Sequence, residues 1–104
     1  MSRLETYYEV VHYNDKLLRD PCKGHAIECV LDNKNFVFFC RKKEGKWNIT
    51  EGRTGLCAFS STSLAGCRVL LMNLEGRDKD WQSNAASRIL SRPSASSYPI
   101  YEEN

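Results

Sequence analysis

Residues 35–60 read NFVFFCRKKEGKWNITEGRTGLCAFS, and this stretch predicts three short antiparallel strands joined by two glycine-containing turns. The predicted strands are Asn35–Arg41, Lys46–Glu51 and Leu56–Ser60, and the turns are residues 42–45 and 52–55. The first strand is apolar on both faces, because Phe36 and Phe38 alternate with Val37 and Phe39. A strand of this kind is typical of the middle of a sheet.

Two further strands are predicted before this stretch. Thr6–Tyr13 is rich in aromatic and β-branched residues, and His25–Asp32 places Ile27, Cys29 and Leu31 on one face. Between them, Asn14–Gly24 has the composition of a loop, since it contains Asp, Pro and Gly. A tight turn is predicted at residues 32–35, because Asn tolerates positive φ. The pattern therefore predicts an antiparallel meander of four to five strands.

The hydrophobic period changes after Ser60. A set of apolar residues recurs at helical spacing, with Thr62 or Ser63 as the N-cap: Leu64, Cys67, Leu70, Leu71 and Leu74. A strand over Cys67–Leu74 is the alternative, and the preceding Ser/Thr cluster favours the helix. A second helix can begin at Asp78 or Asp80 and end before Pro93, with Trp81, Ala85, Ile89 and Leu90 on one stripe.

The predicted fold class is therefore α+β, with one or two helices packed on one face of the meander. Residues 1–92 are expected to form a single globular domain. Residues 93–104 are expected to form a flexible C-terminal tail, because Ser94–Ser97 offers little to bury. Truncation after Arg92 would then leave the stability unchanged.

Composition indicates an ordinary globular domain and a reducing compartment. The chain has 104 residues, a formal net charge of +2 and five cysteines, an odd number. The N-terminal MSRLETYYEV lacks the apolar region of a signal peptide, and no run approaches the roughly 18 apolar residues of a membrane span. We therefore expect a cytoplasmic protein with reduced, mostly buried thiols and no contact with a membrane.

The cysteines and histidines are the first candidates for chemistry. Cys22, His25 and Cys29 are spaced C-x2-H-x3-C, and Cys40 or Cys57 could complete a zinc site. Core thiols are the favoured interpretation, because Cys29 and Cys40 fall at inward strand positions. His12 or His25 could pair with a cysteine nucleophile, but no catalytic motif accompanies them. The sequence thus predicts no catalytic residue, no metal and no cofactor.

A cluster of basic residues in and around the two turns is the favoured binding site. Its members are Arg41, Lys42, Lys43, Lys46 and Arg53. Trp47 and Phe39 are close in sequence, and basic and aromatic residues on a sheet are typical of single-stranded nucleic-acid binding. The alternatives are a protein-facing surface or a solvated turn whose lysines protect a sheet edge.

The C-terminal segment and Trp47 also give rise to predictions. The tail supplies a second set of candidate contacts, Tyr98, Ile100 and Tyr101, unless it is disordered or folds back on its own domain. Trp47 is expected to be substantially buried, so that Trp47→Ala would cost about 3–5 kcal/mol.

Residues 35–74 carry a resemblance to small accessory proteins of phages and mobile elements. The shared pattern is an aromatic strand (Phe36–Phe39), a charged turn (Lys43–Lys46), W-x-I-x-E at residues 47–51, T-G-L at residues 54–56 and a Ser/Thr-capped helix (Thr62–Leu74). The resemblance is architectural and implies a host-takeover or counter-defence binding protein, of the anti-CRISPR or anti-restriction kind.

The expected function is that of a small, non-enzymatic protein-binding module that inhibits or modulates a host complex. Its partner would be a larger host protein or ribonucleoprotein complex. The first alternative is a nucleic-acid-binding module that uses the basic turns. The second is a thiol or zinc-dependent enzyme.

Overall fold

The computed structural model describes residues 3–102 and contains one five-stranded sheet and two α-helices. The strands are β1 (Leu4–Tyr13), β2 (Lys16–Leu31), β3 (Lys34–Lys43), β4 (Lys46–Glu51) and β5 (Cys57–Ser61). The helices are α1 (Leu64–Glu75) and α2 (Lys79–Ser91), followed by a 3-10 turn at Ala95–Ser97. All neighbouring strands are antiparallel and follow chain order. The predicted α+β meander is confirmed.

Two-residue turns fix the register of the first four strands. Asn14–Asp15, Asp32–Asn33 and Glu44–Gly45 connect them, and both residues of each turn have positive φ, between 51° and 79°. Such turns match the right-handed twist of the strands, and Asn, Asp and Gly tolerate the conformation best. The predicted turns at residues 32–35 and 42–45 are therefore present, but each is shorter than expected.

The loop predicted at Asn14–Gly24 is wrong, because residues 16–24 form the first half of β2. This half pairs with β1 in an unbroken register that includes Tyr8 opposite Pro21 and Val10 opposite Arg19. The backbone N–H and C=O of Arg19 bond to the C-terminal segment, so they point away from β1. Pro21 lies two residues further along and has the same orientation, so its missing N–H removes no bond to β1.

Both helices begin at the side-chain caps that the sequence offered. The Gly66 N–H donates to Ser63 Oγ at 2.9 Å, and the Trp81 N–H donates to Asp78 Oδ1 at 2.9 Å. Residues 67–74 therefore lie within a helix, which rejects the alternative strand. Within residues 3–102, no helix is long and apolar enough to cross a membrane.

The main core lies between one face of the sheet, here called the helix face, and the two helices. It is built from residues that alternate along β2, β3 and β4 and recur helically in α1 and α2: Cys29, Leu31, Phe36, Phe38, Cys40, Ile49, Cys67, Leu71, Leu74 and Ala86. Polar bonds join the layers as well. The Cys29 thiol donates to the Leu71 carbonyl at 3.6 Å, and the Val30 N–H donates to Glu75 Oε2 at 2.6 Å.

A second, smaller core forms on the opposite face because the sheet curls. The rings of Tyr7 and Phe39 stack with centroids 4.5 Å apart, although β2 separates their strands. Gly24 permits this contact, since a Cβ there would lie 2.9 Å from the Tyr7 ring and 3.0 Å from the Cys40 carbonyl oxygen. The curl also brings the Val10 N–H to 2.8 Å from the Gly55 carbonyl, so the outer edge of β1 meets the β4–β5 loop.

Residues 94–101 pack against the domain, in contrast to the predicted flexible tail and in agreement with the alternative that the segment folds back on its own domain. Ala95 is buried, and its N–H donates to the Arg53 carbonyl at 2.8 Å. Ile100 then forms a parallel bridge with Arg19, with backbone bonds of 2.8 and 2.7 Å on either side. This segment therefore joins the β4–β5 loop to the outer edge of β2.

Trp47 is partly buried at the margin of the main core, so the expectation of a substantially buried side chain is met only in part. It contacts the His25 ring at a centroid distance of 5.9 Å.

We expect Trp47→Ala to lower the free energy of unfolding by about 2–3 kcal/mol, below the roughly 3–5 kcal/mol of a fully buried Trp. The reason is that part of the ring already contacts water. Urea denaturation measures the change, and Trp47→Phe serves as the control that keeps most of the packing. A loss below about 0.5 kcal/mol, the size of an ordinary surface substitution, would contradict this placement.

Candidate binding site

Three lysines of the basic cluster lie together on the β3–β4 hairpin. Lys42, Lys43 and Lys46 are exposed, and the two-residue turn Glu44–Gly45 connects their strands. Lys43 is paired with Lys46, and Lys42 with Trp47, so the lysines occupy both faces of the hairpin. No ion pair joins any of the three to another residue between positions 3 and 102. We call these three residues the lysine hairpin.

Lys23 and His25 extend this surface along the helix face of β2. Both residues point to the same side as Lys42 and Trp47, since His25 is opposite Cys40, and Cys40 and Lys42 share a face. Lys23 is exposed and His25 is partly buried. Sequence reasoning missed Lys23 because it lies in the segment that was predicted to be a loop.

Arg41 belongs to the same hairpin, but its guanidinium is held by Glu9 of β1. Arg41 Nε and Nη2 donate to the two carboxylate oxygens of Glu9 at 3.0 and 2.8 Å. Burial tends to raise the pKa of Glu9, but hydrogen bonds from Arg41 and Tyr7 outweigh it, so the pKa lies below its ordinary value. The pKa of Arg41 is raised, chiefly by the same bonds to Glu9. Arg41 therefore has a structural partner on its own chain.

Arg53 lies away from the lysine hairpin, in the loop between β4 and β5. Its Nη1 donates to the carbonyls of Ile89 and Arg92, at 2.8 and 2.7 Å, and so caps the C-terminal end of α2. Carbonyls at the end of a helix lack intrahelical partners and carry partial negative charge, which suits a guanidinium. The structure thus assigns two of the five basic candidates, Arg41 and Arg53, to contacts within the chain.

The three candidates in the C-terminal segment lie next to the β1–β2 hairpin rather than beside the lysine hairpin. The Tyr101 ring meets the Tyr13 ring edge to face at 5.3 Å. Ile100, which is 45% exposed, bridges to Arg19, while Tyr98 is partly buried. Part of the apolar surface of Ile100 is therefore available to a partner.

Strand geometry separates the C-x2-H-x3-C pattern. All three residues lie on β2, where side chains alternate between faces, so Cys22 is on the face opposite to His25 and Cys29. Over residues 3–102, no three His, Cys, Asp or Glu side chains are grouped in a way that could hold a metal ion. The spacing would fit a metal site only if these residues lay on a loop that could wrap around the ion.

The five cysteines are free thiols in three environments. Cys29, Cys40 and Cys67 are buried in the main core, Cys22 is partly buried, and Cys57 is exposed on β5. Burial raises the pKa of Cys22 and Cys29 to about 11 and that of Cys40 to about 12. These three thiols are therefore protonated at neutral pH, which makes them poor nucleophiles and poor metal ligands.

A partly buried polar group around Glu9 was not foreseen from the sequence. The Tyr7 hydroxyl donates to Glu9 Oε2, and Arg41 closes the group from β3. The pKa of Tyr7 is raised, first by burial and then by its hydrogen bond to Glu9. Because Glu9 and Arg41 are 32 positions apart, no local pattern could have paired them. Its hydrogen bonds link β1 to β3, which β2 separates in the sheet.

An apolar cavity of about 340 Å³ lies between α2 and the sheet. Its lining includes residues of β5 and α2, together with Leu31, Phe38 and Leu74 of the main core. Glu51 also lines it, but its carboxylate accepts hydrogen bonds from the N–H groups of Thr54 and Arg53 at 2.8 and 3.0 Å.

Comparison of the chain with protein-family models, curated proteins and solved structures found no match.

Proposed function

We propose that this chain is a non-enzymatic binding protein of the cytoplasm that docks through the lysine hairpin on an acidic surface of a larger protein complex. In keeping with the resemblance of residues 35–74, its role would be to inhibit or modulate a host complex of the kind that phages and mobile elements target. The protein would act by occupying that surface.

The observation that carries the proposal is the contrast among the basic candidates. Arg41 and Arg53 are engaged by Glu9 and by the end of α2, whereas Lys42, Lys43 and Lys46 project into solvent. A short, tight hairpin presents these charges at fixed positions. Complementary charge speeds association and selects the partner more than it adds affinity.

A nucleic-acid-binding module is the second candidate, and the position of Trp47 favours it. Trp47 is paired with Lys42 across the two strands and keeps part of its ring exposed. A base could stack on an exposed ring while lysines contact the phosphates, as in proteins that bind single strands. Glu44, which lies among the lysines, would repel a phosphate backbone and an acidic protein surface alike, so it does not separate the two candidates.

The double variant Lys42→Glu/Lys43→Glu is expected to remain folded and to lose most of its partner binding. Reversal of two steering charges should reduce the association rate at low salt by at least about tenfold. The control is Lys16→Glu/Lys79→Glu, which makes the same change in net charge at two exposed positions outside the hairpin. Immobilised wild type and both variants are exposed to a nuclease-treated bacterial lysate, and captured proteins are identified by mass spectrometry.

A protein captured by the wild type and by the control, but not by the hairpin variant, would support the proposal. Equal capture by all three would contradict it. Fluorescence anisotropy with a single-stranded oligonucleotide tests the second candidate, since phosphate contacts lose affinity steeply as salt rises. Circular dichroism confirms that each variant is folded.

A further inference from the structure

We propose that the cavity between α2 and the sheet binds a single-chain amphiphile with a carboxylate head group, with its chain in the cavity and its carboxylate on Arg88. This site shares no residue with the lysine hairpin, so it is independent of the proposed function. The argument rests on how α2 is held, on the lining of the cavity and on the charge at its opening.

Helix α2 is held by polar contacts near both ends and by Ala86, which is buried in the main core between them. Near its start, Gln82 Nε2 donates to the carbonyls of Glu75 and Arg77, and Gln82 Oε1 accepts from the Asp32 N–H at 2.9 Å. At its end, Arg53 binds the last carbonyls. Of the thirteen residues of α2, only Ala86 is buried. Trp81, Ala85 and Ile89 are only partly buried, and they line the cavity.

The cavity is suited to a hydrocarbon chain. Most of its lining is apolar and consists of Leu31, Phe38, Ala58, Phe59, Leu74, Trp81, Ala85 and Ile89. Its volume, about 340 Å³, is at the lower end of the roughly 300–1,000 Å³ typical of small-molecule sites. That size suits one chain of medium length rather than a sterol or a pair of chains.

The charge at the opening selects the head group. Asn84 and Arg88, one turn apart on α2, line the cavity and are exposed to solvent. Among residues 3–102, no side-chain hydrogen bond or ion pair engages the Arg88 guanidinium. Glu51, the acidic residue of the lining, is compensated by two backbone N–H groups. A guanidinium binds a carboxylate through two parallel hydrogen bonds, and a neighbouring amide can donate a third.

Isothermal titration with three probes of equal chain length tests the head group. The probes are dodecanoate, dodecanol and dodecyltrimethylammonium, each kept below the concentration at which it forms micelles. We expect dodecanoate to bind most tightly and dodecyltrimethylammonium most weakly. Trp81 lies in the wall, so its fluorescence should change as dodecanoate binds.

Two variants and a control test the site. Arg88→Gln should weaken dodecanoate binding by about tenfold or more, because the charge of Arg88 and its paired hydrogen bonds to the carboxylate are lost. Ala85→Phe should abolish binding by filling the cavity. Lys79→Gln removes an exposed charge in the first turn of α2 that does not line the cavity, and it should bind like the wild type.

Absence of dodecanoate binding to the wild type would overturn the proposal. Equal affinity for the three probes would also overturn it, as would unchanged binding to folded Arg88→Gln. Arg88 is exposed, so its substitution should preserve the fold and keep the test decisive even if Ala85→Phe does not fold.

Discussion

Arg41→Met is expected to lower the free energy of unfolding by about 2–4 kcal/mol. Removing one partner of a fully buried ion pair costs about 3–5 kcal/mol, because a charge is left without compensation. The Glu9 and Arg41 side chains are 15% and 27% exposed, so water would screen part of that charge and reduce the effect. The substitution also releases the contact that fastens β1 over β3. Urea denaturation at pH 7 measures the loss.

Two further variants show whether the pair itself is responsible. Glu9→Gln in the Arg41→Met background should recover part of the lost stability, since it removes the uncompensated carboxylate. Lys34→Met is the matched control, because it breaks an exposed ion pair with Asp32 that should contribute at most about 1 kcal/mol. Equal losses for Arg41→Met and Lys34→Met would show that the Glu9–Arg41 pair has no special role.

The lowered pKa of Glu9 gives this experiment a pH dependence with a definite sign. The carboxylate stabilises the fold at pH values above its unfolded-state pKa of about 4.3, and the contribution is lost as pH falls through the lower folded-state pKa. The difference in stability between the wild type and Glu9→Gln should therefore be large at pH 7 and shrink toward pH 2.

The parts of the fold that follow from local chemistry could be predicted from the sequence. Alternation along residues 35–41 predicted that Phe36 and Phe38 share a face, and this face is in the core. Each helix begins at one of the two caps predicted for it, Ser63 rather than Thr62 and Asp78 rather than Asp80. The first half of β2 could not be predicted in this way, because Pro21 and Gly24 are typical of loops. Pro21 is acceptable there only because its nitrogen faces away from β1, and Gly24 is needed because Tyr7 lies against it.

The position of the candidate binding site could be predicted from the sequence, but which basic residues are available to a partner could not. Five basic residues lie close together in sequence, and the exposed turn of the lysine hairpin follows from the Glu44–Gly45 pattern. Whether each charge is available depends on distant partners: Arg41 meets a carboxylate of β1, and Arg53 meets carbonyls 36 and 39 positions away. The cavity lined by α2 could not be predicted from the sequence either. The spacing of apolar residues along a helix does not show how closely the helix approaches the sheet.

Removal of residues 93–104 is expected to lower the free energy of unfolding by about 3 kcal/mol and to loosen the hairpin of β1 and β2. Among the described residues, up to position 102, the truncation removes three backbone hydrogen bonds to the domain, one to Arg53 and two to Arg19, each contributing about 1 kcal/mol. It also removes the buried methyl group of Ala95 and the contact between Tyr101 and Tyr13. Thermal and urea denaturation measure the loss. Hydrogen exchange at the Arg19 amide should accelerate, since that N–H loses its acceptor, the Pro99 carbonyl.

A truncation after Tyr101 is the matched control, because it keeps every one of these contacts and should leave the stability unchanged. Ala95→Asp tests the packing of Ala95 alone, because it introduces a charge at a buried position. The N–H of this residue donates to the Arg53 carbonyl at 2.8 Å. An unchanged melting temperature after removal of residues 93–104 would show that the segment is dispensable for folding. The curled sheet would then be stable without the bonds from this segment to Arg53 and Arg19. A loss shared by Ala95→Asp and by the long truncation, but not by the short one, would instead assign the segment to the folded domain, where its bonds to Arg53 and Arg19 tie the β4–β5 loop to β2.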